Sequence, residues 1–421
     1  MFVIMRILLV NPPIYDFTAY DFWLQPYGLF RVAGRLQQSC RLSFFNFLVS
    51  QQRDSWGRGS FDGSYIPKPN VFNDIPRCFR RYGKPREEFR KFLKGKKAFD
   101  AVLIQTSMTY WYLGIQEVIE DIRLSQPKAK IILGGVYSTI CKEHALSLGA
   151  DLVIYDGFLD HLWKFLSIKP QTTLPFRPSG IQHYGVIKIS DGCPFRCSYC
   201  FSPLFGPPFS IRPTEECLKE LRQMATTGIE NIAFYDDALL YRPEQGLIPF
   251  LEKVIDSGIA LKFHTPNAIN ARFVSADLAH LMVRAGFASF FIGLESSSTS
   301  WQRATGGKVY AEEYVAAVRH LREAGARAIT TYIIVGHPSS DDQELESSIE
   351  LAHENGTKVL LSEFSPIPGT EDGEKSRAWA DLEEPLSHNK TAFTIRRLGF
   401  DHMNRLKQQT HELNSKLPRT I

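Results

Sequence analysis

The chain has 421 residues, 44% hydrophobic and 22% charged, with a formal net charge of +4. That length predicts two or three domains with ample core, and the composition excludes a disordered chain. The charge is too mild to indicate nucleic acid, and seven cysteines, an odd number, fit a reducing cytoplasm and metal binding better than a secreted disulfide framework.

Residues 1–13 are apolar, lack a charged leader region and a small-residue cleavage site, and are too short to span a bilayer. They read as a buried first strand in a cytoplasmic protein without a transmembrane segment. Strand 6–10 ends at Asn11-Pro12-Pro13, and a helix follows over 29–37. Further strands are expected at 42–48, 99–106, 130–133 (closed by Gly134-Gly135) and 152–155, with a helix at 113–124. Apolar runs alternating with helical patterns predict a Rossmann-like parallel sheet with helices on both faces. Ligands of such sheets bind beyond the carboxyl ends of the strands, here 11–15, 106–112 and 134–139. The aromatic-rich stretch 15–23 follows the first strand and reads either as a contact to cofactor or substrate or as packing. An insertion at about 51–97 is polar and basic, with Arg77, Arg80, Arg81, Arg86 and Arg90 among its cations. It reads as a solvated insertion with a surface helix, or as a lid for an acidic or phosphorylated substrate.

A Pro-containing connector over 170–182 marks the domain boundary. Beyond it come strands at 186–190, 231–235, 260–264, 289–293, 328–335 and 358–364. Helices at 214–226, 246–256, 276–285, 311–324 and 342–355 alternate with them. This predicts a partial (β/α)6 TIM-like barrel, with one side open to a bulky substrate, and then a short C-terminal helical cap. The expected domains are 1–169, 183–384 and 385–421.

The strongest local signal is Asp191-Gly192-Cys193-Pro194-Phe195-Arg196-Cys197-Ser198-Tyr199-Cys200, directly after the first barrel strand. Three thiolates from one loop can hold three irons of a four-iron cluster and leave the fourth open to a small molecule. The alternatives are zinc, which needs a fourth ligand that no nearby Cys or His supplies, and three structural cysteines close by chance. Cys40, Cys78, Cys141 and Cys217 show no ligand spacing and read as ordinary residues.

With this loop after the first strand of a six-unit barrel, and Tyr199 just before the last cysteine, the chain resembles the radical S-adenosylmethionine (SAM) superfamily. The resemblance implies a [4Fe–4S] cluster on Cys193, Cys197 and Cys200, with SAM chelating the open iron. Tyr199 and Phe201 would contact the adenine. Asp236 and Asp237, ending the second strand, would lie near the SAM amino group; otherwise they cap a helix. Asn267, in a segment with His264, Pro266 and Arg272, would hold the SAM carboxylate or a turn. Gly293-Leu294-Glu295-Ser296 matches the family's GLE-S pattern, which makes Glu295 and Ser296 polar contacts to SAM. Arg303 and Lys308 would pair with the SAM carboxylate or the substrate, or else sit in a surface loop. Val335-Gly336-His337-Pro338 matches the GxP segment, and Ser365-Pro366-Ile367-Pro368-Gly369-Thr370 a segment at the sixth strand end. The matches span most of 184–370.

The first part resembles the cobalamin-binding domain that precedes the barrel in one branch of that superfamily. Ile7-Leu8-Leu9-Val10-Asn11-Pro12-Pro13, Pro26-Tyr27-Gly28-Leu29, Gln105-Thr106-Ser107-Met108-Thr109 and Leu133-Gly134-Gly135-Val136-Tyr137-Ser138-Thr139 carry the likeness. Thr106, Ser107, Gly134 and Gly135 would then embrace the corrin and its nucleotide tail, glycine allowing close approach. The chain departs from the branch in three ways: it lacks D-x-H-x-x-G, has Tyr137 where histidine is usual, and reads Tyr155-Asp156-Gly157-Phe158 where the branch has a Gly-Glu-Gly-Glu-like turn.

The function implied is oxygen-sensitive radical functionalisation of an unactivated carbon, most simply methyl transfer from methylcobalamin. A one-electron reductant such as flavodoxin or ferredoxin would serve an organic substrate that the sequence does not name. The alternatives are a cobalamin-free cyclisation, oxidation or rearrangement, and a non-catalytic iron–sulfur or zinc scaffold. A tRNA methylthiotransferase would need a second three-Cys cluster and an RNA-binding barrel, neither of which is read here.

Overall fold

The computed structural model describes residues 4–155, 157, 159–180 and 182–418. Two compact units make up the chain: residues 1–181 with 383–389, and residues 182–382 with 390–421. Among the described residues no helix is long and apolar enough to cross a membrane.

The first unit is built on five parallel strands: β1 (Met5–Asn11), β2 (Cys40–Asn46), β3 (Ala101–Thr106), β4 (Lys130–Gly135) and β5 (Leu152–Ile154), in the order β5-β4-β3-β1-β2. Ile7, Leu8, Leu9 and Val10 are all fully buried, as a strand covered on both faces requires. Each such side chain contributes about 1.5–3 kcal/mol of burial. Helix α1 (Tyr27–Gly34) adds Leu29 and Ala33 to the core formed by Ile7, Leu9, Leu103 and Ile132. The expected parallel sheet is therefore present, with its carboxyl edge at 11–15, 106–112 and 134–139.

The insertion carries the expected surface helix, Arg86–Lys94, and many exposed residues, but it also contains ordered strands. Strands Ile14–Asp16, Phe79–Tyr82 and Gly63–Ile66 form one small antiparallel sheet, and Tyr20–Asp21, Gly59–Phe61 and Ser50–Arg53 another. Its arginines reach acids on the helix Tyr112–Ser125. Arg81 pairs with Glu117 at 2.7 Å, and Arg86 and Arg90 both reach Asp121. The aromatic stretch 15–23 packs within this unit, Phe17 against Phe72 and Phe79, and Trp23 on Trp56.

Residues 383–389, of which 383–384 are expected at the end of the barrel and 385–389 in the C-terminal cap, lie in the first unit. Asn389 Nδ2 donates to Asp16 Oδ1 at 2.9 Å, His388 Nδ1 lies 3.0 Å from Thr109 Oγ1, and Tyr112 donates to Glu384 at 3.4 Å.

The second unit holds six parallel strands in chain order: β6 (Gly185–Ile187), β7 (Asn231–Phe234), β8 (Lys262–His264), β9 (Phe287–Glu295), β10 (Ala328–Val335) and β11 (Lys358–Glu363). Helices Thr214–Ala225, Leu247–Asp256, Ala276–Arg284, Ala311–Glu323 and Asp342–Glu354 alternate with them, as the pattern predicts. Among the described residues β6 and β11 do not pair, so this is the expected partial barrel. Phe234, Phe263, Phe287 and Phe290 pack in its core. Helices Lys390–Leu398 and Phe400–Lys416 form the helical cap, and Met403 and Leu406 join the barrel core.

Candidate functional site

In the second unit the candidate residues gather at the carboxyl ends of the strands. The cysteine loop follows the short strand Ser190–Asp191, and residues 192–199 adopt neither helix nor strand. Its shape therefore rests on individual hydrogen bonds. Cys200 N–H donates to the Cys197 carbonyl at 3.1 Å, which folds the end of the loop into a turn. All three thiols are free; Cys197 is buried, and Cys193 and Cys200 are half-buried. Burial raises the Cys193 thiol and pushes Cys197 up to about 11, with the Lys308 ammonium opposing the latter. Cys197 and Cys200 stand in the wall of an open cavity of about 590 Å³, with Arg196, Ser198, Leu204 and Thr370.

Soft thiol donors on a single turn fit an iron–sulfur cluster by donor type. Among the described residues no three Cys, His, Asp or Glu side chains are drawn close enough to hold one metal ion. Thiolates around an iron–sulfur cube stand farther apart than the ligands of a single ion.

Tyr199 stacks on Trp301 with ring centres 5.7 Å apart, and burial raises its phenol. Phe201 stacks on Phe205 at 5.5 Å. Asp236 and Asp237 do not share a role. Asp236 is buried and accepts from Ile189 N (3.0 Å), Ser190 N (2.6 Å) and Ser190 Oγ (2.6 Å). It thus ties the end of β7 to the chain entering the cysteine loop and caps no helix. Burial pushes its carboxyl up to about 6 against those hydrogen bonds. Asp237 is exposed and pairs with Lys188 at 3.0 Å. Asn267 is exposed, and its Nδ2 donates to the Tyr235 carbonyl at 2.9 Å, beside Ala268 at a positive φ of 62°. His264 is fully buried between Ser289 and Asn231, a structural placement.

Glu295 carries the clearest strain. It ends β9 beyond a register shift between Gly293 and Glu295 and holds φ at 65°. A non-glycine residue there costs of order 1–3 kcal/mol, and such outliers cluster at functional sites. Its Oε1 accepts from Lys308 Nζ at 3.1 Å, with both side chains largely buried. Burial works against the Lys308 charge, but Glu295, Cys197 and Cys200 outweigh it and raise its pKa. A Cβ on Gly293 would lie 2.4 Å from Glu295 Oε1 and 3.0 Å from Lys308 Nζ, so a side chain there would displace the ends of this pair. Ser296 is buried; its Oγ accepts from Ser298 N and its carbonyl from Gln302. Arg303 is exposed, with no ion-pair partner among the described residues.

Sequence reasoning missed one cluster. Asp372, after β11, and His337, after β10, are buried beside Ser198 of the cysteine loop. Burial pushes the Asp372 carboxyl up, but contacts with His337, Lys375 and Ser198 more than offset it and hold it below the usual range. The matched segments at 335–338 and 365–370 place the two loops, yet no local pattern marks this pairing.

In the first unit Gly134 and Gly135 line an apolar cavity of about 220 Å³ with Gly28, Leu29, Ile132, Ile154 and others. A Cβ on Gly28 or Gly157 would meet nothing within 4 Å. Gly135 has φ 129°, and a Cβ there would sit 2.1 Å from the Thr106 carbonyl. Thr106 is fully buried, its Oγ1 bonded to Ser138, while Ser107 faces a separate small recess with Asn11, Pro12 and Trp111. Two of the four expected corrin contacts thus share the cavity. A glycine-lined apolar cavity at the carboxyl edge fits a bulky ligand approached by backbone. Tyr137 is fully buried, with its hydroxyl 2.6 Å from His144 Nδ1. Of the turn at 155–158, Asp156 and Phe158 lie outside the described residues.

Residues 187–352 match the radical SAM superfamily. An uncharacterized methyltransferase of Pyrococcus horikoshii is 27% identical over 241 residues, covering 56% of this chain and 50% of that protein. The threonylcarbamoyladenosine tRNA methylthiotransferase MtaB of Thermotoga maritima is 27% identical over 280 residues, covering 61% of this chain and 64% of its own. The chain thus spans about half to two thirds of the length of these curated relatives. Among solved structures, the radical SAM methyltransferase TsrM of Kitasatospora setae, with cobalamin and a [4Fe–4S] cluster bound, aligns with a TM-score of 0.68 over 94% of this chain and 85% of its own. The cobalamin-dependent radical SAM enzyme OxsB, with aqua-cobalamin and SAM bound, aligns with a TM-score of 0.59 over 99% of this chain and 63% of its own. Both are 14% identical to it, so the likeness is one of fold, and it extends over both units.

Proposed function

We propose that the protein, whose residues 187–352 match the radical SAM superfamily, is a radical SAM enzyme that functionalises an unactivated carbon, most simply by methyl transfer. Cys193, Cys197 and Cys200 would hold a [4Fe–4S] cluster, and the glycine-lined cavity of the first unit would take the nucleotide tail of cobalamin. When bound, the reduced cluster supplies the electron that splits SAM into methionine and a 5′-deoxyadenosyl radical, and cobalamin supplies a transferable methyl group. The chain's own residues bind and orient. Tyr199 and Phe201 offer ring faces to the adenine, while Glu295, Ser296, Asp237 and Asn267 offer polar contacts to the amino acid part of SAM. Arg303, exposed and without an ion-pair partner among the described residues, offers a cation to a carboxylate. Asp236 acts indirectly, fixing the chain that enters the cysteine loop. Thr106 and Ser107 shape the edge where Gly134 and Gly135 admit the corrin. A one-electron protein reductant is the implied partner.

The observation that carries this reading is the turn of free thiols opening on a cavity at the carboxyl end of a six-stranded partial barrel. The experiment is anaerobic purification with iron analysis and a visible spectrum, then dithionite, SAM and assay for 5′-deoxyadenosine. About four irons per chain are expected, with 5′-deoxyadenosine formation lost in Cys197→Ala. Bound zinc without SAM cleavage would overturn the reading and leave a scaffold. Cobalamin-free radical chemistry is the second reading. Tyr137 favours it, since it stands where the branch usually has histidine and its buried phenol, raised by that burial, would be a poor donor to a metal. A corrin band in the spectrum separates the two.

A further inference from the structure

We propose that His337 and Asp372 are positioning residues for the cysteine turn: they hold Ser198 and Tyr199, and through them the spacing of Cys197 and Cys200. The inference rests on the function proposed above and deepens it.

Asp372 grips Ser198 twice. Its backbone N–H donates to the Ser198 carbonyl at 3.2 Å, and its Oδ2 accepts from Ser198 Oγ. The same Oδ2 lies 3.1 Å from His337 Nε2, and Oδ1 accepts from Lys375 Nζ at 2.8 Å. The Asp372 and His337 side chains are both fully buried. Two N–H groups, Trp301 Nε1 and Ser339 N, point at His337 Nδ1 from 3.2 Å each. Nδ1 is therefore the acceptor, and the ring proton sits on Nε2, whose approach to Asp372 is a buried electrostatic contact without hydrogen-bond geometry. The imidazole meets Tyr199 edge to face with centroids 6.2 Å apart and Trp301 at 5.0 Å, while Trp301 stacks on Tyr199. One ring thus locates both the aromatic pair and the carboxylate that holds Ser198.

A buried carboxylate is costly unless fully satisfied, and apolar side chains would fill the space at less cost. What they would not supply is direction. Packing lets a ring slide, whereas hydrogen bonds set angles, and partners behind a ligand are what orient it. The loop needs such support because residues 192–199 lie in neither helix nor strand.

The test uses Asp372→Asn, His337→Phe and Ser198→Ala, with Ser198→Thr as the conservative rescue. In iron-loaded protein, iron content is expected to match wild type. The KM for SAM should rise about tenfold, the scale of one lost hydrogen bond to a charged group, while kcat moves less. The SAM-induced change in the electron paramagnetic resonance spectrum of the reduced cluster should require correspondingly more SAM, and Ser198→Thr should restore it. In iron-free protein, alkylation of Cys197 should accelerate about tenfold while that of Cys217, buried in the barrel core, stays constant. Unchanged Cys197 alkylation and unchanged spectra would overturn the inference. So would parallel acceleration at Cys197 and Cys217, which marks general loosening. Should Asp372→Asn not fold, Ser198→Ala decides, since it removes a single hydroxyl. A wild-type protein that cleaves no SAM refutes the proposed function, and the alkylation rates still judge the clamp.

Discussion

Gly28→Leu is expected to move stability and corrin binding in opposite directions. Gly28 lies in the first turn of α1, and a Cβ there would meet nothing within 4 Å. Replacing a helical glycine whose φ is ordinary gains about 0.5–1 kcal/mol in backbone entropy. Gly28 lines the apolar cavity of about 220 Å³, so the new side chain should point into it. For a unit of this size the gain corresponds to about 2–4 °C in Tm per kcal/mol. The same isobutyl group takes up space that the corrin tail would need. Binding of hydroxocobalamin, followed by visible absorbance, should weaken at least about tenfold, or about 1.4 kcal/mol. Gly28→Ala should show a smaller loss. The assay pairs thermal unfolding of the iron-free chain with the corrin titration. Unaltered corrin affinity in Gly28→Leu would show that this cavity is not the corrin site, and a lowered Tm would refute the account of open space at Gly28.

Three further outcomes are expected. Gly135→Ala should destabilise the first unit by about 3 kcal/mol or more, combining strain at positive φ with a backbone clash; the cause is a Cβ 2.1 Å from the Thr106 carbonyl, and denaturant unfolding measures it. Lys308→Met should cost about 2 kcal/mol, below the cost of breaking a fully buried pair because the lysine keeps some solvent contact; adding Glu295→Gln should recover part of it, and a double-mutant cycle reports the coupling. Asp236 should make stability pH-dependent. Its carboxyl is raised to about 6, so the folded state binds that proton more tightly than the unfolded chain. Its contribution is fully present below the unfolded carboxyl range near 3.9 and is lost as pH rises through about 6. The unfolding free energy of wild type minus that of Asp236→Asn should therefore fall by about 2–3 kcal/mol between pH 4 and pH 7; a flat difference would contradict the raised pKa.

Much of this architecture is local in the sequence. Ile7-Leu8-Leu9-Val10 and the later apolar runs bury both faces of parallel strands, so each strand declares itself without knowledge of its partners. The cysteine loop is equally local, because three cysteines on one loop are a matter of spacing. The Glu295 site was legible through its own short pattern, although its positive φ and its pairing with Lys308 were not.

The amino-acid sequence by itself therefore determined the two α/β units, their strand ends and the thiol turn, since all of these follow from periodicity and spacing within a few residues. Only the tertiary structure decided the rest. Arg81, Arg86 and Arg90 of the insertion pair with acids on the helix Tyr112–Ser125. The segment 383–389 belongs to the first unit, some 270 residues from its partners Thr109 and Tyr112. Asp372 reaches Ser198 across 174 positions. Such pairs leave no periodic trace, because a hydrogen bond between distant residues constrains two positions and nothing between them. They form only where the barrel and the sheet have already brought the strand ends together.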